Sequence, residues 1–195
     1  MENSKQSIIM NTTISGIKNL LNKTHCVCIG NIQQGDGRSF REYISKKLKE
    51  MGIIMWNHYK KPFITEFDES EEAIKYRIEL LNNEEYDKVI EFSPIRSYDL
   101  ALMDKSDFII FVYDPDVFTC GSWEEFFTAN RIKRPIFFVN IKGKKHTPLW
   151  VFWTLKNHHY IYSSIEECLE MIKKINSGEI PLDSDRWRLM AEEYR

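Results

Sequence analysis

Two short stretches decide the fold: FIIFV at residues 108–112 and PIFFV at residues 135–139. Both are continuous runs of β-branched and aromatic residues without polar alternation, which is typical of strands buried on both faces of a parallel sheet. The residues between them predict a loop at 113–121 and a helix at 123–131. Strand, helix and strand in this order predict a parallel unit, because parallel neighbours need a crossover connection.

The same alternation continues in both directions along the chain. HCVCI at residues 25–29 is another apolar run, followed by a glycine-rich stretch and a helical pattern that ends at Gly52. Short strands are predicted at 53–55 and 160–162, and helices at 69–83, 93–107 and 165–175. About five strands alternating with helices predict an α/β fold, with an open, doubly wound, mainly parallel sheet of the Rossmann or flavodoxin type.

The length of 195 residues suits one domain with short flanking segments. We expect an N-terminal helical extension at residues 1–24, the α/β domain at 25–178 and a C-terminal tail at 179–195. The region between the second strand and the helix at 69–83 is predicted to be a mobile insertion.

Composition narrows the possible partners. The chain is 43% hydrophobic and 29% charged with a formal net charge of -2, so it offers no basic excess for a phosphate backbone. We expect no stable binding to nucleic acid. No apolar stretch is long enough to span a bilayer and no signal peptide is evident, which predicts no membrane partner and a cytoplasmic location. The four cysteines lack zinc-binding spacing, and no cofactor or metal is predicted.

A polar loop, GNIQQGDGR, follows the first strand at residues 30–38. It precedes a helix N-terminus, where free N–H groups and the helix dipole favour a phosphate or a polar sugar. The candidate substrate-binding residues here are Gly30, Asn31, Gly35 and Arg38. The loop matches neither the Walker spacing nor the dinucleotide fingerprint, so an ordinary turn is the alternative.

A second loop ends in CGSWEE at residues 120–125, which delivers Glu125 in the first turn of a helix after a buried strand. A carboxylate in this place is a candidate catalytic group. The same spacing is also that of a capping box between Ser122 and Glu125, a pattern repeated at Ser39/Glu42 and at Ser164/Glu167. Spacing alone leaves both interpretations open.

Two motifs resemble those of the nucleoside 2-deoxyribosyltransferase family. Gly121-Ser122-x-x-Glu125 opens a helix before a basic-Pro-apolar strand, which resembles the nucleophile motif, and Asp99 lies eight residues before Asp107 at the start of a central strand. The resemblance covers residues 25–175 and is best over 96–139. PLWVF at 148–152 also resembles phage-borne members. The sequence departs from the family at Thr119, where members often carry another Asp.

This resemblance implies an enzyme that cleaves or transfers the N-glycosidic bond of a nucleoside or nucleoside 5′-monophosphate. Glu125 would attack or stabilise the sugar carbon, Asp99 would hold or protonate the base, and Gly121 and Ser122 would contact the substrate. It also implies a homo-oligomer, a dimer or larger, and the host cytoplasm as location if a phage encodes the chain. Two alternatives stay open: a non-catalytic nucleotide-binding or sensing module, and a nicotinamide-dinucleotide glycohydrolase.

Overall fold

The computed structural model of the chain describes residues 19–31, 37–56, 58–59, 68–181 and 186. These residues form a five-stranded sheet in which every pairing is parallel. The strands are β1 His25–Gly30, β2 Ile54–Trp56, β3 Phe108–Tyr113, β4 Ile136–Asn140 and β5 Ile161–Tyr162. Their order across the sheet is β2-β1-β3-β4-β5. The α/β, doubly wound, Rossmann-like fold predicted from the sequence is therefore confirmed.

Seven α-helices accompany the sheet in the described part of the chain. They are α1 Gly37–Glu50, α2 Glu71–Asn82, α3 Tyr86–Ile90, α4 Pro94–Lys105, α5 Cys120–Arg131, α6 Leu149–Leu155 and α7 Ile165–Asn176. Two short 3-10 helices lie at Lys144–His146 and His158–Tyr160. The helices predicted from periodicity correspond to α1, α2, α4, α5 and α7. The two shortest α-helices, α3 and α6, were not predicted, because segments of one or two turns carry too little periodic pattern.

Helices cover both faces of the sheet, and each face has its own apolar core. On one face, α1 and α7 pack against alternate strand residues such as Phe108 and Ile110. On the other face, α4, α5 and α6 pack against Ile109 and Phe111. Since successive side chains of a strand point to opposite faces, β3 needs an apolar residue at every position. Full burial of each such side chain contributes about 1.5–3 kcal/mol.

The helix starts differ from two of the predicted capping boxes. α1 begins at Gly37 and α5 at Cys120, so Ser39 and Ser122 lie inside helices, and Thr119 is the N-cap residue of α5. The capping boxes predicted at Ser39/Glu42 and Ser122/Glu125 are therefore wrong. At α7 the prediction holds, because Ser164 is the N-cap residue and its hydroxyl accepts the Glu167 N–H at 3.2 Å.

The flanking segments and the insertion are described only in part. Residues 1–18 of the predicted helical extension lie outside the described residues, and 20–23 form a turn. In the C-terminal segment, Arg186 is described and donates to the carbonyl oxygen of Arg134 and to Asn130. Of the region predicted to be mobile, residues 57 and 60–67 fall outside the description. None of the helices in the described ranges is long and apolar enough to cross a membrane.

Candidate functional site

The topology marks one edge of the sheet as the place for a ligand. β1 and β3 are neighbours, but the helix that follows β1 packs on one face and the helix that follows β3 packs on the other. Connections that leave adjacent parallel strands on opposite faces open a crevice beyond their carboxyl ends, and ligands of open α/β sheets bind there. Both loops singled out in the sequence leave the sheet at this edge.

Three side chains meet at this crevice, and we call them the His58 cluster: His58, Asp99 and Glu125. His58 Nδ1 lies 2.9 Å from Asp99 Oδ1, and His58 Nε2 lies 3.8 Å from Glu125 Oε1. One nitrogen or oxygen atom from each residue lies within 4.8 Å of those of the other two. His58 is 1% exposed and Glu125 6% exposed, so their interactions with one another outweigh those with bulk water.

The contact with Asp99 sets the roles of the two ring nitrogens of His58. An ionised carboxylate only accepts hydrogen bonds, so Nδ1 donates to Asp99. Nε2 then faces Glu125 with a lone pair when the ring is neutral, and with a proton when the ring is charged. Within the described residues this buried Nε2 has no hydrogen-bond partner. Nε2 is therefore the ring nitrogen that faces Glu125.

The three residues of the cluster come from different parts of the chain. His58 comes shortly after β2, Glu125 lies in the first half of α5 after β3, and Asp99 lies at the middle of α4. α4 and α5 pack side by side, and an ion pair between Arg96 and Glu124 joins them at the surface. Arg96 lies three residues before Asp99 on α4, so the two share one side of that helix.

The carbonyl oxygen of Gly30, at the end of β1, accepts hydrogen bonds from two helices. The Ser122 hydroxyl donates to it at 2.9 Å, and Arg41 donates to it from its guanidinium at 3.2 Å. Ser122 belongs to α5 and Arg41 to α1. This shared acceptor fixes the helix that carries Glu125 against the loop that carries the other candidate binding residues.

Two glycines make this close approach possible. Gly30 has φ +152°, and a Cβ there would lie 2.6 Å from the carbonyl oxygen of Val112. A Cβ on Gly37 would lie 2.0 Å from the carbonyl oxygen of Asn31. Contacts this short are excluded by van der Waals repulsion, so any larger residue would displace backbone rather than a flexible side chain. Both positions require glycine for the crevice to keep its shape.

Arg41 is a buried cation within the turn between β1 and α1. It is 1% exposed, and besides Gly30 it donates to the carbonyl oxygens of Cys28 at 3.1 Å, Asn31 at 2.9 Å and Gly37 at 2.6 Å. A buried charge without such hydrogen bonds would cost several kcal/mol, of the order of 3 or more. The guanidinium therefore joins the end of β1 to the start of α1.

The pKa of the Cys28 thiol depends on its burial and on charged groups on both sides of the crevice. Burial raises the pKa of its thiol to about 12, the Arg41 cation opposes this rise and the Glu125 carboxylate adds to it. The thiol is accordingly protonated at neutral pH and is no nucleophile.

The remaining sequence-predicted residues are less closely associated with the His58 cluster. Asn31 is buried and Arg38 is exposed, with its guanidinium 4.8 Å from the ring centre of Tyr59. Gly121 is exposed in the first turn of α5, and Gly35 lies outside the described residues. The Thr119 hydroxyl, at the position of the family Asp, is buried and has no hydrogen-bond partner in the part of the chain that the structure describes.

Sequence reasoning missed His58 and Arg41. His58 comes shortly after a predicted strand at the ligand-binding edge, which would have been a reason to single it out. Arg41 falls on the inward face of α1 with Ile44 and Leu48. A cation at a core position of an amphipathic helix indicates a specific buried partner, but the pattern cannot name that partner.

Fold and site together define a doubly wound α/β protein with a buried histidine, a buried glutamate and a partly buried aspartate at its topological switch point. No model of a known protein family matches the chain, and no curated protein matches it either.

Proposed function

We propose that this chain is an enzyme that cleaves or transfers the N-glycosidic bond of a nucleoside or nucleoside 5′-monophosphate, with Glu125 as the group facing the sugar carbon. The observation that carries the proposal is the burial of Glu125 in the His58 cluster, at the edge of the sheet where ligands bind. A carboxylate shielded from water stabilises positive charge on a sugar far better than an exposed one does.

Groups of the His58 cluster can supply both the nucleophile and the proton that the reaction needs. A Glu125 oxygen forms a bond to C1′ while the C1′–N bond breaks, and the electron pair of that bond leaves with the base. The base takes a proton from the pair of His58 and Asp99. In the second step water or another base attacks C1′, the bond to Glu125 breaks, and the carboxylate is regenerated. The proton of the attacking group returns to the same pair.

The separation of the two carboxylates favours direct attack by Glu125. Oxygens of Asp99 and Glu125 lie within 4.8 Å of each other. In glycosidases, carboxyl groups about 5–5.5 Å apart accompany a covalent intermediate, whereas about 6.5–9.5 Å leaves room for a water molecule between acid and base. By the same reasoning, the product should keep the configuration at C1′.

The turn after β1 is the proposed place for the far end of the sugar or its 5′-phosphate. Its backbone is held by Arg41, and Arg38 adds an exposed cation at the start of α1. Gly30 and Asn31 lie at the end of β1, Gly35 belongs to the same stretch of sequence, and Gly121 and Ser122 lie at the start of α5. A phosphate at this helix N-terminus would be favoured by the helix dipole and by the Arg38 charge.

A panel of deoxynucleosides and their 5′-monophosphates, incubated with and without a free acceptor base, tests the function when the products are identified by mass. Glu125→Gln should abolish turnover and leave substrate binding largely intact, because the substitution keeps size and hydrogen bonding but removes the charge. Glu124→Gln is the matched control on the same helix, and it should retain turnover. Full activity in Glu125→Gln would rule out the mechanism.

The two alternatives give different results in the same assay. A nicotinamide-dinucleotide glycohydrolase releases free nicotinamide when that dinucleotide is added to the panel. A non-catalytic binding module gives no product from any substrate, although nucleotide binding would still raise its melting temperature.

We also propose that the chain assembles as a homo-oligomer. Trp150 and Trp153 on α6 are 60% and 61% exposed, and Leu149 beside them is 66% exposed. Phe118, in the loop before α5, is 85% exposed. Exposed aromatic residues of this size are typical of interfaces. Light scattering should give a mass at least twice that of the chain, and Trp150→Ser with Trp153→Ser should reduce it.

A further inference from the structure

His58 presents a buried ring nitrogen that the described residues leave unsatisfied. Nε2 lies 3.8 Å from Glu125 Oε1, too far for a hydrogen bond, while Nδ1 is held by Asp99 at 2.9 Å. We propose that this pocket also binds a divalent transition-metal ion, of which Zn²⁺ fits best. The ligands are His58 Nε2 and a carboxylate oxygen of Glu125, with water completing the coordination.

The distances suit an ion between the two groups. Zinc lies about 2.0–2.1 Å from an imidazole nitrogen and about 2.0–2.2 Å from a carboxylate oxygen, so tetrahedral ligands are about 3.3 Å apart. The atoms that would bind the ion are 3.8 Å apart, and a side-chain movement of about half an ångström closes the difference. Rotation about the terminal bond of a glutamate side chain moves its carboxylate oxygens by more than this distance.

The hydrogen bond between His58 and Asp99 favours metal binding by the other ring nitrogen. In metal sites the ring nitrogen opposite the ion commonly donates to a carboxylate, which fixes the tautomer and raises the basicity of the ligating nitrogen. The contact between His58 Nδ1 and Asp99 Oδ1 has this geometry. Nε2 thereby keeps its lone pair directed towards Glu125.

The donor set selects the class of ion. One imidazole with carboxylates suits Zn²⁺ and neighbouring transition metals, whereas Mg²⁺ and Ca²⁺ take oxygen ligands. The inference shares Glu125 with the proposed function, so the ion and the sugar should exclude each other. Binding of the ion does not depend on that function.

Isothermal titration of the chelator-treated full chain with Zn²⁺, without any nucleoside, tests the proposal. One saturable site per chain is expected, with no comparable heat from Mg²⁺. His58→Gln should remove the site, and Asp99→Asn should weaken it by about 10- to 100-fold through loss of the supporting hydrogen bond. Co²⁺ provides a second readout, because its visible absorption reports nitrogen and oxygen coordination.

Cys120→Ser and the double variant His158→Gln with His159→Gln are the controls. These side chains are exposed and do not belong to the His58 cluster, so the Zn²⁺ affinity should not change in either variant. A melting curve shows whether each variant is folded, and Glu125→Gln replaces His58→Gln if the latter is not. Absence of saturable binding, or binding that persists in His58→Gln or Glu125→Gln, would overturn the proposal. Neither outcome of the titration changes what the turnover of Glu125→Gln shows about the proposed function.

Discussion

The Ser122 hydroxyl donates a 2.9 Å hydrogen bond to the carbonyl oxygen of Gly30, 92 positions away in the sequence. The bond joins the start of α5 to the end of β1. Because Glu125 lies one helical turn after Ser122, its position relative to the first loop depends on this contact. Ser122 therefore ties a helix to a strand, where its spacing to Glu125 had suggested a helix cap.

Ser122→Ala should lower the free energy of unfolding by about 1 kcal/mol, since the buried carbonyl oxygen of Gly30 loses one of its two donors and keeps only its bond to Arg41. Urea denaturation measures the change. Ser177→Ala is the matched control, because the exposed Ser177 hydroxyl also donates to a backbone carbonyl, at 3.0 Å, and its loss should cost less than about 0.5 kcal/mol. Equal losses in the two variants would contradict the role given to Ser122.

Arg41→Met should destabilise the chain much more, by about 3 kcal/mol, because several buried carbonyl oxygens lose their donors at once. Arg41→Lys should keep only part of the stability that Arg41→Met loses, since an ammonium group cannot reproduce the planar set of donors. The exposed Arg38→Met serves as control and should change stability by less than about 0.5 kcal/mol. A small effect of Arg41→Met in thermal and urea melts would show that the turn does not need the buried cation.

His58 and Asp99 should behave as one unit in turnover. On a substrate already shown to react, the double variant His58→Gln with Asp99→Asn should be no slower than the slower single variant, because each residue acts through the other. The loss in Asp99→Asn should be smaller for bases that leave readily without a proton. Additive losses in kcat, or an equal loss for every base, would separate Asp99 from the handling of the base.

Of the four cysteines, only Cys120 should react with a thiol reagent in the native protein at neutral pH. Cys120 is exposed, whereas Cys26, Cys28 and Cys168 are buried and burial raises the pKa of all three thiols. Mass spectrometry after brief alkylation identifies the labelled position. Rapid labelling of Cys28 would show that the carboxyl end of β1 is open to solvent.

The raised pKa of Cys28 also predicts a loss of stability at high pH. The thiol ionises from its ordinary pKa of 9.0 in the unfolded chain but only from about 12 in the folded one. Its contribution to stability is complete below pH 9 and is lost as the pH rises towards 12. Between pH 9 and 11 the free energy of unfolding should fall more steeply for the natural chain than for Cys28→Ala. Parallel curves would contradict the burial of this thiol.

The sequence by itself determined the layers of this fold. β3 and β4 can be predicted from the sequence because a strand covered on both faces must be apolar at every position. This pattern is local, and FIIFV and IFFV show it. The positions of α1, α2, α4, α5 and α7 followed from periodicity in the same way. Glu125 could be placed at the start of a helix after a buried strand, at the edge where ligands bind.

Only the tertiary structure decided which side chains meet. His58 reaches Asp99 because β2 lies beside β1 at the switch point, and the order of strands is a property of the whole chain that no local pattern encodes. Ser122 has the spacing of a helix cap, yet its hydroxyl binds Gly30, since a backbone acceptor from another strand lies within reach only after folding. Spacing along the chain fixes which residues share an element, whereas contacts between elements depend on packing, and the site is made of such contacts.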